Sequence, residues 1–297
     1  MSVFAEYKST TKGVPVDELA DLVLYRPLSY ALVKLCTLLP ITPNQISFLA
    51  MMVGIVSGIF FGLGTQEGFI MGGLLCSAAN ILDCTDGMLA RLKSNGTLTG
   101  RIIDGVAGHI LMVAVYTGFG IGLKRAVHND LVSLPFHPFL LVGLAGVGHL
   151  VQAVLSDHYA CLYATHVLGQ DLRPQSEIAV FSRELERLKP AKGKALDRLM
   201  IRLYLAYTKI QLGANHKAAV RYDPEEYRKH NQTLVMLWNL VGPSMHIFVL
   251  LVASIFFKPM VFIWYAVIIG TIWILLLYPI QAAVNKKMAG LSCLARN

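Results

Sequence analysis

Charge is scarce in this sequence. Only 15% of its 297 residues are Asp, Glu, Lys or Arg, where a soluble domain carries about a quarter. Cysteine is also sparse. Cys36, Cys76, Cys84, Cys161 and Cys293 are odd in number, and no CxxC or Cys/His cluster occurs. That pattern argues against a disulfide framework and a zinc site, so apolar packing is the expected role of each, Cys84 included. Short segments of alternating hydrophobicity are missing, which argues against a membrane barrel. The opening "MSVFAEYKSTTKGVPVDELAD" has no basic stretch followed by an apolar one. No cleavable signal peptide is expected, and insertion rests on the transmembrane helices themselves. Internal repeats and low-complexity tracts are absent too.

Long apolar runs are what the sequence has instead. Hydrophobic residues make up 55% of the chain, and several windows of about 20 apolar residues are each long enough to cross a ~30 Å hydrocarbon core. The expected fold is all-α, a polytopic membrane protein with six transmembrane helices: 42–64, 69–92, 98–123, 139–167, 234–257 and 261–283. Thr42 is placed to cap the first and Pro43 suits its first turn. "TQEG" reads as the turn into the second, and "KSNGTLTG", with Asn95-Gly96, as the turn into the third. Residues 16–39 are too polar to span and read as an interfacial helix, broken or kinked near Pro27. The chain thus divides into a cytoplasmic N-terminus with that interfacial helix (1–41), four spans (42–167), a cytoplasmic amphipathic helical insertion (168–232) and two final spans with a tail (233–297). Trp238, Trp264 and Trp273 read as interface anchors or packing.

Six spans put both termini on one side. Arg91, Lys93 and Arg101 lie on that side, with the basic segment from Arg173 to Lys229 and Lys286 and Lys287. The other side has chiefly Lys124, Arg125 and Lys258. The positive-inside rule makes the richer side cytoplasmic. The net charge of +8 therefore fits membrane topology and anionic headgroups rather than nucleic acid.

Against this background "NILDCTDGMLARLKSNGTLTGRIIDGVAGHI" stands out, because it places Asp83, Asp86 and Asp104 inside apolar sequence. Asp83 and Asp86, spaced i, i+3, share a helix face. Asp104 lies in the next helix, across the hairpin turn, so the three converge roughly 10–15 Å below the hairpin tip. An unpaired Asp in mid-bilayer costs at least about 2.5–3.5 kcal/mol, and clustered carboxylates also repel one another. A divalent cation offsets both costs, and oxygen-only ligation suits Mg²⁺, Mn²⁺ or Ca²⁺. Three readings follow from spacing: a network paired to Arg91 or Arg101, a transporter's ion site, or a metal-dependent enzyme. Gly87, Ala90 and Gly100 favour the enzyme, because small residues beside the carboxylates let a flat or phosphorylated ligand approach the backbone. Arg91 is placed to meet a phosphate at the interface.

These residues resemble the signature of the CDP-alcohol phosphotransferase (CDP-alcohol phosphatidyltransferase) family, D-x2-D-G-x2-A-R, a spacer, then G-x3-D-x3-D. Asp83, Asp86, Gly87, Ala90, Arg91, Gly100 and Asp104 match it, and "TPNQIS" before the first span is similar to that family too. The resemblance implies transfer of a phosphoalcohol or phosphatidyl group from a CDP-linked donor to the hydroxyl of a lipid or polar alcohol acceptor, releasing CMP. It implies Mg²⁺ or Mn²⁺ held by Asp83, Asp86 and Asp104, a nucleotide near Gly87, Ala90, Arg91 and Gly100, and a homodimer among membrane lipids. The departure is Gly108, where the family has a fourth aspartate read as general base and often as metal ligand. His109 and Asp157 are the alternative bases, and Asp157 is equally an acceptor-binding candidate. His109 is rotated about 100° from position 108 and otherwise reads as a histidine hydrogen-bonded inside the bundle. The stretch from Arg183 to Lys194 reads as a solvated basic loop, or as a surface for anionic headgroups or a phosphorylated acceptor.

Overall fold

The computed structural model describes residues 6–7, 10–11, 13, 15–93, 96–169, 174–189, 194–212 and 222–294. Asn95 of the hairpin turn, Arg173, residues 190–193 of the basic stretch and the side chain of Cys293 lie outside them. Among the described residues there is no strand, and the fold is all-α. Among the described residues, five helices are long and apolar enough to cross a membrane: α2 (Pro43–Gly62), α3 (Gln66–Leu92), α4 (Leu98–His128), α5 (Pro138–Val167) and the terminal stretch Pro259–Gly290. A bent pair, α8 (Pro224–Trp238), with its short extension to Val241, and α9 (Pro243–Ile255), passes the same test only jointly. The protein is a multi-pass integral membrane protein.

Local chemistry explains where these helices begin. Thr42 Oγ1 accepts from the Gln45 N–H at 3.4 Å, and Gln45 Oε1 accepts from the Thr42 N–H at 2.9 Å. This reciprocal cap, with Pro43 in the first turn, sets the start of α2. Thr65 caps α3 and Thr97 caps α4 in the same sense, each hydroxyl accepting from the N–H three residues on. Gly64, at φ +75°, lets the chain reverse before Thr65. The turn into α3 is therefore tighter than "TQEG" suggests, and the helix already starts at Gln66.

Two prolines, Pro27 and Pro243, shape the helices that carry them. Pro27 does not break the N-terminal helix. A π-turn at Asp21–Tyr25 precedes α1 (Arg26–Thr37), and the Arg26 N–H reaches back to Asp21 O. The wider turn accommodates the proline ring, which would otherwise press on the preceding turn. The fifth span, expected to be continuous from 234 to 257, is instead bent by 41° between Val241 and Pro243. Pro243 has no N–H to donate and forces Gly242 into an extended conformation, φ −73° and ψ 168°. Groups around the break find partners elsewhere. Tyr265 Oη donates to Leu240 O at 2.5 Å, and Trp273 Nε1 to Leu237 O at 2.9 Å. Glu18 Oε2 accepts from Ser244 N at 2.9 Å and Met245 N at 3.2 Å, capping α9. Asn239 Nδ2 donates to Pro15 O at 2.7 Å. The N-terminal segment is thus stitched to the break. Trp238 and Trp273 serve packing here, since Trp238 is fully buried with its Nε1–H on Gln281 Oε1, while Trp264 is half exposed.

The packing of α2 positions the aspartate hairpin. It lies closely against both α3 and α4, which touch each other far less. Gly58 and Gly118 bring the α2 and α4 backbones together, and a Cβ on Gly118 would collide with the Gly58 carbonyl. With little hydrophobic force between helices in lipid, such small-residue seams allow the close van der Waals contact that holds them. Both α3 and α4 therefore rest on α2, which lies beneath the space between them. Beyond the four-helix segment, α6 (Pro174–Leu188) and α7 (Ala195–Leu212) form a hairpin around Phe181, Leu188, Ile201 and Leu205. That cluster includes Ile102, so the hairpin docks on the first turns of α4. The Arg101 guanidinium lies 5.6 Å from the centre of the Phe181 ring.

Candidate active site

Asp83 and Asp86 come from the last turns of α3 and Asp104 from the second turn of α4. Each offers a carboxylate oxygen to a group whose atoms all lie within 4.8 Å of one another. The structure thus brings together the three carboxylates that the sequence singled out. Asp86 is buried, whereas Asp83 and Asp104 are partly open to the cleft. Two ionised carboxylates 4.8 Å apart repel by roughly 3.5 kcal/mol at an effective dielectric constant of about 20. An all-oxygen, acceptor-only donor set this compact suits a hard divalent cation such as Mg²⁺ or Mn²⁺. Asp86 has one more neighbour, the Ser47 hydroxyl of α2, which donates to its Oδ2.

The small residues of the motif hold distinct places. A Cβ on Gly87 would meet only Arg91 Nη2 and Nη1, at 3.6 and 3.7 Å. Gly87 therefore keeps backbone exposed beneath the guanidinium. Arg91 is steadied from behind, its Nε donating to Thr10 O at 2.7 Å. Ala90 faces the hairpin turn, with the Cβ position of Gly96 3.6 Å from its methyl. Gly100 has a packing reason of its own, since a Cβ there would come within 2.7 Å of Asn44 Oδ1 and 2.9 Å of Thr97 Oγ1. Gly108 differs. It lies one turn after Asp104, and a Cβ there meets nothing within 4 Å.

Neither alternative base joins the carboxylate group. His109 is exposed on α4 rather than hydrogen-bonded inside the bundle, and its Nδ1 lies 2.6 Å from Gly105 O of its own helix. It lies five positions after Asp104, a rotation of about 140°, which turns the ring off the carboxylate face. Asp157 is exposed on α5, where its Oδ2 lies 3.8 Å from the Cys161 thiol. Cys84 faces the N-terminal segment, with Sγ 3.9 Å from Asp21 Oδ1. There Arg26 pairs with Asp17 at 2.5 Å and stands 3.9 Å from Asp21, and all three residues are buried.

Reasoning from sequence missed Ser47, Asn44 and this N-terminal network. Ser47 carried a weak signal, a hydroxyl one turn after Pro43 at the start of an otherwise apolar span. The N-terminal residues carried none, because Asp17, Asp21 and Arg26 meet one another and Cys84 only in the folded chain, and the partners of Pro15 and Glu18 lie more than 200 residues away.

Residues 40–160 match the family model described as CDP-alcohol phosphatidyltransferase. That segment is similar to CDP-alcohol phosphatidyltransferase domains. It runs from just before α2 into α5 and contains every motif residue from Asp83 to Gly108, as well as Asp157. The family it resembles is one of membrane transferases that generally depend on divalent metal ions and work with CDP-alcohol donors. Comparison with curated proteins gives no match.

Proposed function

We propose that the protein is a divalent-cation-dependent CDP-alcohol phosphotransferase of phospholipid or related lipid synthesis. It would transfer a phosphoalcohol or phosphatidyl group from a CDP-linked donor to an acceptor hydroxyl and release CMP. The observation that carries this reading is the convergence of Asp83, Asp86 and Asp104 within 4.8 Å inside the family domain.

The roles follow from position and chemistry. Asp83, Asp86 and Asp104 would hold Mg²⁺ or Mn²⁺, which when bound neutralises the donor's pyrophosphate and stabilises the departing CMP. Gly87 leaves room for the nucleotide end to lie against the α3 backbone. Arg91, held at Nε by Thr10, presents its terminal nitrogens to a phosphate in a bidentate sense. Ala90 and Gly100 complete the small-residue wall, Gly100 indirectly by letting α2 and α4 close up at Asn44. We place this cleft on the cytoplasmic side, because Arg91, Lys93 and Arg101 flank its mouth. A homodimer is proposed from the family resemblance alone.

The acceptor's proton needs a base. Gly108 supplies none and sits beside open space, which favours a second reading, a CDP-alcohol-binding protein with slow or no turnover. His109 and Asp157 remain the proposed substitutes. The test is CMP release in detergent or nanodiscs with Mg²⁺ or Mn²⁺, over a panel of CDP-linked donors and hydroxyl acceptors. Metal-dependent CMP release supports the transferase. Metal-dependent donor binding without CMP release supports the silent binder. Ion-dependent flux in vesicles without CMP release would replace both with a transporter.

A further inference from the structure

We infer that Ser47 is a positioning residue for metal binding, acting through Asp86. The inference rests on the metal site proposed above and extends it to a helix outside the aspartate hairpin. Ser47 lies on α2, 3% exposed, and Asp86 on α3, 4% exposed. The Ser47 hydroxyl donates to Asp86 Oδ2 across 39 residues of sequence. Pro43 O, one helical turn back and 3.2 Å from the same Oγ, competes for the single hydroxyl proton. Asp86 Oδ2 is the nearer of the two acceptors, and a carboxylate is the stronger one. A carboxylate that ligates a metal has two oxygens and a free rotation about its last bond. Fixing one oxygen fixes the plane, and with it the direction of the remaining lone pairs. Asp83 and Asp104 are each less buried than Asp86. Asp86 is the buried ligand, so its orientation must come from the protein.

The position of Ser47 is itself well determined. The reciprocal Thr42–Gln45 cap fixes the first turn of α2, and the Gly58–Gly118 contact fixes how deep α2 sits against the hairpin. The hydroxyl is thus presented by a rigid element rather than a loop, which is what orientation of a metal ligand requires. A serine that merely filled its own helix would need no carboxylate opposite it.

The experiment is a Mn²⁺ titration of the purified full-length protein without donor, read by the loss of the free-ion electron paramagnetic resonance signal. The starting protein, Ser47→Ala, Ser47→Thr and Asp83→Asn are compared, with thermal unfolding in chelator as the measure of fold. Partners of metal ligands typically contribute 10–100-fold to affinity. We expect Ser47→Ala to bind Mn²⁺ about 10–100-fold more weakly, and Ser47→Thr, which keeps the hydroxyl, to recover most of that loss. The Mn²⁺ concentration for half-maximal CMP release should rise by the same factor, while the donor KM at saturating metal stays put. A purely structural serine would lower the unfolding midpoint and leave the metal affinity of the folded protein unchanged. That result, or Ser47→Thr binding as weakly as Ser47→Ala, overturns the inference while leaving the metal site standing. If the starting protein and Asp83→Asn are alike in taking up no Mn²⁺, the metal site falls and the inference falls with it.

Discussion

Gly108→Asp is the perturbation that says most about how this site works. The position lies one turn after Asp104, about 40° around α4, so a side chain there shares the carboxylate face. A Cβ meets nothing within 4 Å, so the first carbon of the new side chain enters without a clash. Helix propensity changes little, since Gly and Asp both rank low and differ by about 0.3 kcal/mol. The electrostatic cost is bounded by the price of an unpaired Asp in mid-bilayer, about 2.5–3.5 kcal/mol, and falls when a divalent cation is present. Against this stands a restored base. Positioned general bases contribute typically 10²–10⁴-fold, or about 2.7–5.4 kcal/mol off the barrier. We therefore expect CMP release to rise by about 10²-fold or more, with donor affinity little changed. Gly105→Asp is the matched control. A Cβ there also meets nothing within 4 Å, but the position is rotated about 100° from Asp104, so it adds the charge without aiming it. Steady-state CMP release with and without acceptor reads the rate, and donor titration reads the affinity. Equal gains from both variants would refute the aimed-base reasoning. So would a starting protein already as fast as Gly108→Asp, unless His109→Ala or Asp157→Asn then slows it.

Other outcomes follow from the same geometry. Gly118→Val should destabilise the protein by about 1–3 kcal/mol, the usual cost of overpacking, because its Cβ collides with the Gly58 carbonyl; the unfolding midpoint in detergent checks this, and an unchanged midpoint contradicts the seam. Gly87→Ala should fold normally, since its methyl makes ordinary contact with Arg91 at 3.6 Å, yet weaken donor binding by filling the space between guanidinium and backbone. A loss of fold, or an unaltered donor affinity, would count against that placement. Single cysteines at positions 93 and 124, in a background without native cysteine, should label from opposite sides with an impermeant reagent, with position 93 cytoplasmic. Labelling of both from one side would break the proposed topology.

Much of the site was legible because its signals are local. Asp83 and Asp86 advertise a shared face by spacing alone, and Thr42, Pro43 and Gln45 spell out a cap within four residues. The all-α membrane fold follows from apolar length. The bend in the fifth span was written in Gly242-Pro243, but the apolar run on both sides outweighed it. What stayed hidden depends on distant partners. The carboxylate of Glu18 caps α9. Gln152 Nε2 donates at 2.6 Å to Ala266 O, a carbonyl spared by the π-turn at Tyr265–Ile269, where the Gly270 N–H bonds Tyr265 O instead. No window of sequence contains both halves of either contact. Ser47 lies between these cases, visible as a polar residue but meaningful only once Asp86 is seen opposite it.

The central claim is that Asp83, Asp86 and Asp104 form one metal site that holds the CDP-linked donor. Equilibrium binding of a CDP-alcohol donor to Asp83→Asn, Asp86→Asn and Asp104→Asn, with Mn²⁺ and with chelator, tests it most directly. The account predicts that the starting protein binds donor far more tightly with Mn²⁺ than with chelator, and that each substitution abolishes the difference while the protein still inserts and unfolds cooperatively. Unchanged donor affinity and unchanged metal dependence in all three variants would contradict it.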